Sequence, residues 1–175
     1  MARPPSPGDD ATPFLLRCYI KHAPFRPVTD FGLDFRPIEE ECKLYVWRTT
    51  TLREITQMLH EAQPSFSGPR SLHAFRVIYY DRNHSGYAAR EAGLGVTRVP
   101  LANLESLLEV SSDNRDKDGR DQAWSASFDK FKQEVDESSA RTTLQQLNIQ
   151  DGDILDCVVK AECSNHYSHL PRGGR

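Results

Sequence analysis

The side chains best suited to chemistry lie far apart along this chain. Its six histidines are His22, His60, His73, His84, His166 and His169. None stands in an H-E-x-x-H, nucleophile-and-base or carboxylate-pair arrangement that would let one group take a proton while another attacks. No glycine-rich phosphate loop follows a strand-like segment. Cys163, His166 and His169 recur at three-residue spacing and offer three zinc ligands, but no fourth partner adjoins them, and such a tail reads as solvated. Asp151-Gly152-Asp153 lacks the further oxygen ligands of a calcium loop and reads as a tight turn. The expectation is therefore no catalytic residue, no cofactor and no metal.

What remains is the chemistry of surfaces. Cys42, Leu44 and Val46 alternate with Lys43, Tyr45 and Trp47, so if the first set faces a core, Tyr45 and Trp47 point the other way. Large aromatics bury much area at little entropic cost, which suits them to partner contacts. Arg76, Ile78 and Tyr80 should share that open face. Tyr87, next to Gly86, is either a contact or a packing residue that pins a turn. The competing reading is that the long connection from Lys21 to Glu41 folds over the aromatics as a second small core.

The elements that must position these residues follow from periodicity. Phe14, Leu16, Cys18 and Ile20 alternate with Leu15, Arg17, Tyr19 and Lys21 as a half-buried first strand, and the Cys42 to Trp47 alternation gives a second. Thr51 and Glu54 form a capping box ahead of Leu52, Ile55, Leu59 and Ala62 at helical spacing, and Pro64 stops the helix. Leu72 to Tyr80 reads as an inner strand. A turn through Asp81, Asn83, Ser85 and Gly86 leads to one short strand around Tyr87 to Glu91, before Gly93 and Gly95. Leu155, Cys157 and Val159 alternate with Asp156, Val158 and Lys160 as the last strand, entered through the Asp-Gly-Asp turn. One helix on one face of a small mixed sheet is an α+β, β-grasp plan.

Composition sets the boundaries. The 175 residues, 38% of them hydrophobic, suit one core, expected over 13–160. Residues 1–12, with three prolines and Pro13 directly after them, read as a disordered arm, and 161–175 as a flexible tail. The stretch 97–141 carries ten acidic residues, from Glu105 to Glu137, against seven basic ones and reads as a partly disordered insertion. Leu101, Leu104, Leu107 and Leu108 suggest a short helix at its start. A net charge of −3 offers no general basic field, so no direct nucleic-acid binding is expected. No apolar run approaches the roughly 20 residues that cross a bilayer, and unpaired cysteines in strand-like segments imply a reduced, intracellular setting. The ending Pro171-Arg172-Gly173-Gly174-Arg175 leaves an alternative open, a ubiquitin-like modifier precursor conjugated through Gly174, although the stalk between Lys160 and Gly173 is longer than conjugation needs. One Arg-Gly-Gly triplet can also touch RNA.

Several stretches carry a family likeness. They are Phe14-Leu15-Leu16-Arg17; Leu44-Tyr45-Val46-Trp47 followed by Thr51-Leu52-Arg53-Glu54-Ile55-Thr56; Gly86-Tyr87 with Glu91 and Gly93; and Leu147-x-Ile149-x-Asp151-Gly152-Asp153-x-Leu155. In order and rough spacing the chain resembles the eighteen-kilodalton Sin-associated polypeptide family over 13–96 and 142–160. The resemblance implies a ubiquitin-like, non-enzymatic adaptor of the nucleus, with the cytoplasm left open. Such an adaptor serves as a subunit of a histone deacetylase corepressor and of the apoptosis-and-splicing-associated (ASAP) complex that joins the exon junction machinery. Two faces of bulky side chains with only one helix to cover them point in addition to protein partners that offer extended peptide segments to the open sheet face or its edge. The chain departs from the family pattern in its long acidic stretch and in its tail, which lacks a proline-rich ending.

Overall fold

The structure is a computed structural model that describes residues 12–32, 40–68, 70–104 and 128–160. The arm 1–11, Leu107 and Leu108, and the tail with Cys163, His166, His169 and Gly174 lie outside the described residues.

Five strands form one mixed sheet: β1 (Phe14–His22), β2 (Glu41–Val46), β3 (Leu72–Asp81), β4 (Gly86–Val96) and β5 (Ile154–Lys160), in the spatial order β2-β1-β5-β3-β4. β1 and β5 run parallel at the centre and every other pair is antiparallel. With β1 and β3 on its two sides, β5 is buried along six of its seven residues, which explains its nearly continuous apolar run.

Helix α1 (Leu52–Ala62) lies across one face. The Thr51 amide donates to Glu54 Oε2 at 2.7 Å and the Glu54 amide donates back to Thr51 Oγ1 at 3.3 Å, so the capping box forms as read. Pro64 then follows the C-cap residue Gln63. Leu52, Ile55 and Leu59 descend onto Leu16, Cys18 and Ile20 of β1, Cys42, Leu44 and Val46 of β2, Phe75 and Val77 of β3, and Leu155, Cys157 and Val159 of β5. Leu144, Leu147 and Ile149 complete this core. Their segment is fastened beside the helix start, where the Leu144 amide donates to Thr50 O at 3.0 Å and Gln145 to Arg48 O at 2.8 Å.

The fourth strand differs from the reading above. It is not a short strand ending before the glycines but runs from Gly86 to Val96 through both of them. The glycines are what allow it. A Cβ on Gly93 would lie 2.7 Å from Leu52 Cδ1, so its absence lets the strand pass under α1. Gly95 has φ +63°, and a Cβ there would lie 2.1 Å from Glu134 O.

The described ends of the acidic stretch are packed onto the domain. Residues 101–104 are helical with Leu104 buried, and residues 128–134 are helical. Helix α2 (Glu137–Arg141) is capped by Asp136, whose side chain accepts from the Ser138 and Ser139 amides and whose own amide donates to Gly95 O at 2.9 Å. Those serine hydrogen bonds hold the Asp136 carboxyl down to about 2. Arg53 of α1 pairs with Glu137 at 2.7 Å, and Glu137 also accepts the Leu101 amide at 2.9 Å, so one carboxylate joins the two ends.

Candidate partner-binding surface

The register fixes which residues share the face away from α1. Leu15 stands opposite Tyr45, Arg17 opposite both Lys43 and Ile154, and Tyr19 opposite both Glu41 and Asp156. Beyond β5, Ile154 faces Ile78 and Asp156 faces Arg76, and at the far edge Tyr80 faces Tyr87.

A strap formed by residues 23–32 crosses the middle of this face. The turn Val28–Phe31 delivers Phe31, fully buried, edge-on to Tyr19 with ring centroids 5.4 Å apart. Tyr19, Phe31, Ile78 and Ile154 form a second small core with Tyr87 packed against its rim. Beside it lies a buried ion cluster. Arg26 Nη1 donates to Asp156 Oδ1 at 2.7 Å, Arg76 Nε donates to Asp156 Oδ2 at 2.9 Å, and Arg76 also donates to the Arg26 carbonyl. Glu40 pairs with the other side of Arg26, and the Arg76 guanidinium lies over the Phe25 ring, 4.6 Å from its centroid. Asp156 is fully buried, which raises its carboxyl above the ordinary value, and the two guanidinium charges oppose that rise.

The six residues expected on this surface are therefore divided. Tyr45 is 71% exposed, Tyr80 55% and Trp47 44%. Arg76 and Ile78 do share the face, but neither lies open on it. Phe31 covers Ile78, while Asp156 and the Arg26 carbonyl engage Arg76. Tyr87 is half-buried and meets Tyr80 edge-on at 5.6 Å, so it both packs and shapes the rim. The described part of the connection, residues 23–32, thus helps form a second core, as the competing reading had it, and Tyr45 and Trp47 are not part of that core. Two participants escaped the reading. Leu15, 46% exposed opposite Tyr45, enlarges the aromatic patch and was legible only as the outward member of an alternation. The Arg26–Asp156 pair carried one signal, an acidic residue inside the apolar run Ile154-Leu155-Asp156-Cys157.

Three of the other reactive groups are sequestered. Cys18 and Cys157 are fully buried, and burial raises both thiols far above the range in which a thiolate forms. His73 is buried, donates from Nδ1 to Val96 O at 3.1 Å and titrates at about 4, because burial penalises its charged form. Among the described residues no three His, Cys, Asp or Glu side chains converge to hold a metal ion.

Fold and face together define a small α+β domain on a five-stranded mixed sheet, one face sealed by a helix and the other half covered by its own strap. The chain matches the family described as Sin3 associated polypeptide p18 (SAP18) over residues 8–159, and it belongs to that family, as the motifs around Leu44 and Gly86 implied. It is similar to a histone deacetylase complex subunit SAP18 of Arabidopsis thaliana, 28% identical over 91 residues. That alignment takes in 51% of this chain and spans only 59% of the length of that relative.

Proposed function

We propose that this protein is a non-enzymatic adaptor with a ubiquitin-like β-grasp fold, which serves nuclear complexes by binding extended segments of their larger subunits. The strand order β2-β1-β5-β3-β4, with parallel central strands and one helix on one face, supports the β-grasp reading. Membership of the SAP18 family, and the name of the Arabidopsis relative, support a subunit role in histone deacetylase corepression of transcription. A second role in mRNA splicing, within an ASAP-type assembly at the exon junction, extends this reading through the family likeness.

The observation that carries the binding role is the apolar patch of Tyr45, Leu15 and Trp47 that the strap leaves uncovered. Neighbouring exposed aromatics of this kind mark interaction sites, because desolvating them on a partner recovers hydrophobic free energy at little side-chain entropy cost. Tyr80, with Tyr87 behind it, gives a second aromatic contact at the opposite end of the sheet. Recovery of corepressor and exon-junction subunits with the tagged full chain tests the reading. Loss of both sets on Trp47→Ala in a protein that still folds supports it, and undiminished recovery contradicts it.

A further inference from the structure

The open face carries its charge unevenly. β1 and β2 set Arg17 directly opposite Lys43, and like charges at opposed positions work against the pairing of two strands. Arg17 is neutralised, because its Nε donates to Glu41 and its Nη2 donates to the Tyr19 hydroxyl at 2.9 Å. Lys43 is exposed, and among the described residues no carboxylate pairs with it. The other cations nearby are engaged elsewhere. Arg48 lies over the Phe14 ring, 5.5 Å from its centroid, and donates to Ile149 O at 3.3 Å, while Glu40 and Asp156 hold Arg26. One positive charge is thus left uncompensated beside the uncovered patch.

The period of the strand ties that charge to the patch. Tyr45 stands two residues along β2 from Lys43, with Leu15 opposite it, so the ring and the ammonium share one face about 7 Å apart. An extended segment laid against them repeats its own side chains at the same period. An apolar side chain against Tyr45 and Leu15 therefore brings the residue two places away against the lysine. An acidic side chain there offsets the repulsion between Arg17 and Lys43 and forms an ion pair at the rim of an apolar contact. A basic one adds a third positive charge.

We propose that the patch takes an extended partner segment in which an apolar and an acidic side chain stand two residues apart, the first against Tyr45 and Leu15 and the second against Lys43. This inference rests on the adaptor reading and adds to it the sequence chemistry of the partner.

Selection from a library of random peptides displayed on phage, with the full-length chain as bait, tests it without the natural partner in hand. Peptides enriched by the wild type carry an acidic residue two places from an aliphatic or aromatic one. Lys43→Glu, a change at an exposed position, leaves the melting curve in place and exchanges the acidic preference for a basic one. An acidic peptide from the first selection binds Lys43→Glu about tenfold more weakly in fluorescence polarisation, and raised salt narrows that gap. Tyr45→Ala/Trp47→Ala separates this inference from the reading beneath it. If the wild type enriches no peptide, or that double variant enriches the same ones, the patch binds no segment and both fall. If the peptides depend on Tyr45 and Trp47 but show no acidic preference, or keep it on Lys43→Glu, the patch remains a binding site and the proposal is overturned. An acidic segment of the chain itself seated on Lys43 gives that second result.

Discussion

Arg26 Nη1 lies 2.7 Å from Asp156 Oδ1, so a residue of the strap and a residue of the central strand, far apart in sequence, share a fully buried ion pair. A carboxylate withdrawn from water is tolerated only while its partners stay in place. Arg26→Ala is therefore expected to destabilise the fold by about 3–5 kcal/mol. Replacing Asp156 as well, as Arg26→Met with Asp156→Leu, should cost at least as much, because Arg76 is then left without its carboxylate. Urea unfolding of the single and double variants checks the ordering.

Gly95 sits at φ +63° with Glu134 O in the place where a Cβ would go. Gly95→Ala combines backbone strain with a collision against main chain, and a loss of about 2 kcal/mol or more is expected. Gly152, at φ +92° with open space around it, shares the strain without the collision. Gly152→Ala should thus cost less in a thermal melt.

His73 titrates at about 4 in the fold, below the roughly 6.5 of an unfolded chain. Between those values the unfolded state binds a proton that the folded state refuses, so stability falls as pH drops from about 6.5 towards 4 and this contribution levels off below. The full difference amounts to about 3 kcal/mol. His73→Asn can keep a donor near Val96 O without titrating. Melts at a series of pH values should show a flatter acid limb in this variant than in the wild type.

Thr51 caps α1 reciprocally with Glu54. Thr51→Ala should cost about 1 kcal/mol, and Thr51→Ser close to nothing, measured by chemical denaturation.

Much of this architecture was legible because it rests on short-range rules. Alternation identified β1, β2, β3 and β5, the Thr51–Glu54 spacing marked the helix start, and Asp151-Gly152-Asp153 marked the last turn. β4 was read too short because its glycines weaken a strand pattern locally, and only the approach of Leu52 and the chain at Glu134 explains them. The site was legible in part for a similar reason. Periodicity tells which side of the sheet a residue takes, so the exposure of Tyr45, Trp47 and Tyr80 was legible. It cannot tell what crosses that side, and Ile78 and Arg76 are covered by Phe31 and Arg26 from a loop without periodicity.

The most direct test of the adaptor account is the recovery of histone deacetylase complex subunits from nuclear extract with the wild-type chain and with Tyr45→Ala/Trp47→Ala, alongside matched melting curves. The account predicts that the double variant melts within a few degrees of the wild type and loses those subunits. Equal recovery from the two proteins would show that the uncovered patch of Tyr45, Leu15 and Trp47 is not where partners bind.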